Sequence, residues 1–326
     1  MKNNISRFKV EIRYAIRDIL NKMNIHDVDY KILYLGEEKY DHTYKNETSY
    51  AIEFSKDLPL DIKVKNKLKI RYCRTLEQAF YLKLFLLNNG NYNINQPKFL
   101  WSYNNLIITE WIDGSFYDRE DPNYLSKLKE IGKLHAQMEK NAVKLDDKNQ
   151  SFLKKRLNNH FVHMENANQY FPFHYIIKEE EKEILKSRLD VFLKDLDGSC
   201  IVLSNYEWKR EDIIFDSGEK PYLIDNESIN FGLLGTTLWN NLNIRPYFKN
   251  KDEKDAYLQG FIEVFPECYE LVKKHNELYA FLRVMQHGAQ IENFVKTATN
   301  MDSEEEWEFV YKEVIAEQRT WMQRYI

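Results

Sequence analysis

The chain has 326 residues, with 47 Lys and Arg against 51 Asp and Glu, a formal net charge of −4, and 43% hydrophobic residues. That balance excludes a dedicated nucleic-acid binder, which needs a basic stripe or patch, and the composition excludes long disorder. Ten glycines in 326 residues, about 3% against a usual level of roughly 7%, leave no GxGxxG or GxxxxGK[ST] window, so a clustered-glycine phosphate loop is excluded too.

In chain order, the opening segment predicts an amphipathic helix at about 6–24. Its charges are scattered, without the apolar core of a signal peptide. Residues 28–72 read as strands, short and partly alternating: DYKILYL, YDHTYK, SYAIEF and KLKIRYC. A helix is expected at 75–88, with Leu76, Phe80, Leu84 and Leu87 marking its apolar face. Two more strands, PKFLWSY and NLIITEW, close on the turn signal Asp113-Gly114. From Asn123 onward helices dominate. Leu128, Ile131, His135 and Met138 mark one; Leu185, Leu189, Phe192 and Leu196 mark another; further helices are expected at 252–265, 275–297 and 304–324. One strand-rich island, CIVLS, DIIFD and PYLID at 200–225, interrupts them. Cys73, Cys200 and Cys268 lie too far apart for a disulfide framework or a CxxC metal knuckle, and read as buried hydrophobes. No stretch approaches eighteen uninterrupted apolar residues, so no membrane span is expected. The expected location is cytoplasmic.

Three segments stand out in order: Leu106 to Gly114 (LIITEWIDG), Ile131 to Gln137 (IGKLHAQ), and Ile224-Asp225-Asn226-Glu227 after an apolar strand. Together they resemble the strand and lobe connector, the "LGxLHA" helix and the "IDxE" metal motif of the aminoglycoside phosphotransferase and choline kinase group. The resemblance spans about 30–240. It implies an α+β, two-lobed protein-kinase-like fold: a small strand-rich N-terminal lobe over 1–111 that binds nucleotide, and a larger, mainly helical C-terminal lobe over 112–326. It also implies ATP or GTP and Mg²⁺ as cofactors, and a small-molecule acceptor, with no nucleic acid and no membrane as partner.

The family's site residues carry over by position. Lys69 in the LKIR strand would touch the phosphates, oriented by Glu77 of the next helix, with Arg71 as a competing cation. Glu110 and Ile112 would hold the base at the connector. Asp225 would bind metal, being a carboxylate presented at the end of an apolar strand to a hard ion that prefers oxygen. In the family's H-x-D-x-x-x-x-N catalytic loop, the Asp accepts the acceptor's proton and the Asn binds metal. Anchored on Ile213-Ile214-Phe215, the equivalents here are Asn205, Glu207 and Asp212, with the spacing kept and each identity changed. Asp212 keeps an oxygen ligand. Glu207 keeps a carboxylate on a longer arm, and a displacement of about 1 Å can cost on the order of 10²-fold in rate. Trp208, Lys209 and Arg210 bring bulk and charge to the same loop. The turn Gly36-Glu37-Glu38 places two acids where triphosphate would pass, and Thr237-Leu238-Trp239 stands where the family has an Asp before Leu-Ala.

Two functions remain open on these grounds. One is an ATP- and Mg²⁺-dependent phosphotransferase to a small-molecule hydroxyl, with Glu207 as its catalytic carboxylate. The other is a catalytically inactive pseudokinase, a nucleotide-binding or structural protein of the spore-coat type of Gram-positive bacteria, with a protein partner. His135 reads as a packing histidine on an apolar helix face. His160 and His163, at i and i+3, lack a third ligand nearby and read as a polar helix face. The acidic runs at 179–181 and 304–306 read as solvated first turns of helices.

Overall fold

The computed structural model describes all residues except 1, 23, 27, 36–47, 74, 146–148, 171–174, 195, 197–199, 206–211, 225–228, 245–247 and 299–313. The chain forms two compact units. The first gathers Met1–Val143, Leu203–Phe231 and Asn240–Glu267; the second gathers Lys144–Val202, Gly232–Trp239 and Cys268–Ile326.

In the first unit, helix α1 (Lys2–Lys22) precedes five strands: β1 (Tyr30–Tyr34), β2 (Thr48–Phe54), β3 (Lys67–Tyr72), β4 (Phe99–Tyr103) and β5 (Leu106–Glu110). They pair antiparallel in the order β1-β2-β3-β5-β4. Strand side chains alternate between faces, and the sequence uses that rule to give the sheet one apolar face. Ile12, Ile16 and Ile19 of α1 pack there against Ile52, Leu68, Ile70, Leu106 and Ile108. Helix α2 (Leu76–Asn91) starts on Thr75, whose hydroxyl accepts the Gln78 N–H at 3.1 Å, an N-cap that satisfies one of the donors left over at a helix start.

Helices α3 (Tyr124–Lys140) and α7 (Lys251–Val264) approach each other backbone to backbone. A Cβ on Gly132 would lie 2.1 Å from the Tyr257 carbonyl oxygen, and one on Gly260 only 1.9 Å from that of Lys129. Glycine is required at both positions. Strands β7 (Ile213–Phe215) and β8 (Pro221–Leu223) form a hairpin. The Asp216 carboxylate closes its turn by accepting the N–H groups of Gly218 and Lys220, each at 3.0 Å.

The second unit is helical, with α4 (Asn149–Asn168), α5 (Glu179–Leu193), α8 (Pro266–Lys274), α9 (Asn276–Ala298) and α10 (Ala316–Met322). The buried Glu181 takes both guanidinium nitrogens of Arg319, at 2.6 and 2.7 Å. Burial raises its pKa; the Arg319 contact and the Lys178 N–H outweigh that and hold it below the ordinary carboxylate value. Strands β6 (Ile201–Asn205) and β9 (Ile229–Leu233) pair with each other, and α6 (Thr236–Asn243) follows.

The architecture is the mixed α+β one expected, with its five-stranded antiparallel sheet and many helices. Three elements were not expected: β9, α6 and α8. Two expectations are overturned. Glu181, read with its neighbours as part of a solvated first turn, is buried and paired with Arg319. Leu76, Phe80 and Leu87 do not face the core; α2 buries Ala79, Leu82, Phe85 and Leu86 instead. The run FYLKLFLL is apolar almost all round, so packing chooses the buried face. The YDHTYK strand lies outside the described residues, and so does most of the 304–324 helix, of which Ala316–Met322 is observed. Among the described residues no helix is long and apolar enough to cross a membrane.

Candidate functional site

The face of β3 turned away from α1 carries Lys67, Lys69 and Arg71, by the same alternation that buries Leu68 and Ile70. From it Lys69 reaches the hairpin, where its ammonium donates to the carbonyl oxygen of Ile224 at 2.9 Å. The Ile224 N–H donates in turn to the carbonyl oxygen of Asp212 at 2.7 Å. Lys69, Ile224 and Asp212 therefore meet at one place. Asp212 is buried there. Asp225, the next residue along, and Glu207 lie outside the described residues. Arg71, the competing cation, shares the Lys69 face and is 6% exposed.

Glu77 is placed differently from its expected role. It sits exposed in the first turn of α2 and accepts the Tyr81 hydroxyl at 2.7 Å. Among the described residues no ion pair joins it to Lys69. The side of α2 that packs on the sheet is that of Ala79, Leu82 and Leu86, and Glu77 is not on it. Tyr81 packs edge-on against Phe231 of β9, with ring centroids 5.5 Å apart. Burial, reinforced by the Glu77 carboxylate, pushes its phenol up to about 12.

The connector follows β5. The buried Glu110 carboxylate accepts the N–H of Lys98 at 3.0 Å with one oxygen and that of Lys63 at 3.2 Å with the other. Its side chain is thus a staple between two backbone segments, and its own N–H donates to the Lys98 carbonyl oxygen at 3.0 Å. Ile112 joins Ile214, Tyr222 and Ile224 in a small apolar cluster. Gly114 permits the next step, since a Cβ there would lie 2.5 Å from the Phe215 carbonyl oxygen. Ser115 and Phe215 exchange backbone bonds of 3.0 and 2.9 Å, which ties the connector to β7.

Sequence reasoning missed Lys63. Its ammonium lies 2.7 Å from an Asp216 carboxylate oxygen, 2.6 Å from the Tyr222 hydroxyl and 3.9 Å above that ring. Burial lowers its pKa, but the Asp216 and Tyr222 contacts prevail and raise it. In a stretch with four lysines between 63 and 69, alternating with other residues, no local signal singles it out, because its partners lie 153 and 159 residues away.

His135 is the packing histidine expected, fully inside α3, with Nδ1 3.0 Å from the Tyr257 hydroxyl. That hydroxyl also accepts the Asn241 amide at 2.9 Å. Burial holds the imidazole down to about 3. The unfolded chain therefore takes up a proton below about 6.5 that the folded one refuses until about 3. Stability is full above the unfolded value and falls with pH through that window, by about 1.4 kcal/mol per pH unit. Chemical denaturation at stepped pH should show that slope, flattened in His135→Gln; an unchanged slope in the variant would refute the assignment.

In the second unit His163 pairs through Nδ1 with the buried Glu292, which also accepts the Asn166 amide at 3.1 Å. Among the described residues, no group of three or more His, Cys, Asp and Glu side chains is arranged to hold a metal.

No family model matches this sequence, and no curated protein matches it. Solved structures do. The streptomycin–ATP–APH(2")-IIa ternary complex superposes with a TM-score of 0.57 at 12% identity, over 94% of this chain and 97% of that one. Choline kinase LicA from Streptococcus pneumoniae gives 0.52 at 13%, over 95% and 99%. The Plasmodium vivax ethanolamine kinase gives 0.51 at 16%, over 91% and 81%. The fold is that of the aminoglycoside phosphotransferases and choline kinases. The aminoglycoside phosphotransferase APH(2'')-Ib, solved with ADP bound, superposes with a TM-score of 0.56 at 12% identity.

Proposed function

We propose that the chain is a nucleotide-dependent phosphotransferase acting on the hydroxyl of a small-molecule acceptor. One observation carries the reading: the Lys69 ammonium stands at the carbonyl of Ile224, one residue before Asp225 and bonded through Ile224 to Asp212. A cation for phosphate and carboxylates for metal are what phosphoryl transfer needs in one place. In this reading Lys69 clamps the phosphates of ATP or GTP, and the main chain at Glu110 and Ile112 holds the base over the apolar cluster. The donors nearby are oxygens, which suit Mg²⁺, and Asp212 and Asp225 would hold it. When bound, that ion neutralises charge on the polyphosphate. Glu207 orients the acceptor and takes its proton as the hydroxyl oxygen bonds to the γ-phosphorus; the bond from that phosphorus to the bridging oxygen breaks, and the nucleoside diphosphate leaves.

The second reading, a pseudokinase that binds nucleotide or a protein partner, is supported by a different observation. Lys69 is already engaged by a carbonyl, Glu77 is held by Tyr81, and the catalytic loop carries Asn205 and Glu207. A thermal shift with ATP, with and without Mg²⁺, separates the two when followed by a phosphate-transfer assay. Nucleotide at 100 times its dissociation constant should add about 2.7 kcal/mol of stability. Binding with turnover that Glu207→Ala abolishes is the expected result. Binding without turnover across an acceptor panel favours the pseudokinase, and no shift with any nucleotide sinks the phosphotransferase.

A further inference from the structure

Lys63 makes more connections than a loop residue needs. Its loop, 55–66, joins β2 to β3 and is fixed on both sides of it. Leu58 and Ile62 are buried in the core shared with α1, and the Lys65 carbonyl oxygen accepts the Leu58 N–H at 2.8 Å. From that base the Lys63 N–H holds the Glu110 carboxylate at the entry to the connector. Its ammonium holds the hairpin twice, at the Asp216 carboxylate and at the Tyr222 hydroxyl. The Asp216 anchor is itself rigid, because its other oxygen accepts the N–H groups of Gly218 and Lys220. Tyr222 is the one polar-ended side chain in the apolar cluster with Ile112, Ile214 and Ile224. Among the described residues its hydroxyl bonds to Lys63 alone. The Lys63 side chain is 40% exposed, and ion pairs that open to water add little to global stability. What the three bonds do is fix a geometry, that of the Tyr222 ring and of the connector against the hairpin.

We propose that Lys63 is a positioning residue for the nucleotide base, holding the Tyr222 ring and the connector in the arrangement on which a purine docks. This rests on the nucleotide-binding part of the function proposed above. The physical reason is pre-organisation. A buried tyrosine hydroxyl without its partner either turns the ring towards water or stays unsatisfied. In both cases the base meets a surface that has to be reordered on binding, and that cost is taken from the affinity. The effect belongs to the base rather than the phosphates, because the bonds of Lys63 end at Glu110, Asp216 and Tyr222, whereas Lys69 reaches Ile224 on its own.

Calorimetric titration of the full chain with ADP and with ATP, each with Mg²⁺, tests this. Lys63→Met should raise the dissociation constant about tenfold, and by the same factor for both nucleotides, while the circular dichroism of the free protein stays unchanged. Tyr222→Phe, which keeps the ring and loses only the hydroxyl, should act in the same direction, and it carries the test should Lys63→Met fold poorly. The double variant should bind within about twofold of Lys63→Met, because the two residues act as one unit, and Lys63→Arg should restore most of the affinity. A wild type that binds no nucleotide sinks the nucleotide reading and this role with it. A wild type that binds, beside a Lys63→Met protein of equal affinity, overturns this role alone. So does a loss confined to ATP, which would put Lys63 at the phosphates, or additive losses in the double variant.

Discussion

Gly260→Ala should destabilise the protein by on the order of 3 kcal/mol, although alanine is the better helix former by about 1 kcal/mol. The added methyl would lie 1.9 Å from the Lys129 carbonyl oxygen and 2.8 Å from its carbon. Those are backbone atoms in the middle of α3, so relief requires the two helices to part. Parting them also lifts Gly132 off Tyr257 and Phe261 on α7, both fully buried, with Tyr257 against His135. Gly90→Ala is the internal control. It sits in a helix with open space around the new methyl, so propensity alone acts and stability should rise by about 0.5–1 kcal/mol. Thermal melts of the two variants should therefore move in opposite directions. A Gly260→Ala protein as stable as the parent would show that the α3–α7 approach is looser than described.

Lys69→Met should remove the ATP-dependent stabilisation, about 2.7 kcal/mol at saturating nucleotide, and leave the apo protein within about 1 kcal/mol of wild type. Methionine keeps the apolar stem and loses the ammonium, so the apo cost includes the hydrogen bond to the Ile224 carbonyl. Arg71→Met separates the two cations of β3. Arg71 is the more buried, so its removal should lower stability with and without nucleotide alike. A Lys69→Met protein that still shifts with ATP, beside an Arg71→Met protein that does not, would transfer the phosphate role to Arg71.

The strands were legible because alternation is a local rule. KLKIRYC puts its cations on one face and its aliphatics on the other whatever the rest of the chain does, and β3 obeys it. The face each set would meet was not legible, since α1 lies some fifty residues away in sequence and it covers Leu68 and Ile70. In α2 the failure is of another kind. An almost uninterrupted apolar run offers two competing stripes, and the sheet took Leu82 and Leu86 rather than Phe80 and Leu87. The short elements β9 and α6 carry too few residues for a period to show. At the site, motif order located the connector and the strand end at Ile224. It gave no sign that the Glu110 carboxylate would be consumed by two backbone N–H groups, or that Lys63 would reach Asp216, because each depends on a partner brought near only by folding.

The three cysteines, all thiols and all buried, divide between the two compact units. Cys73 belongs to the first, Cys200 and Cys268 to the second. Each unit thus contains a built-in reporter of its own opening, silent to alkylating reagents while the unit stays closed. The rate at which each thiol is labelled, resolved by mass spectrometry, reads how often its unit opens, without any engineered probe.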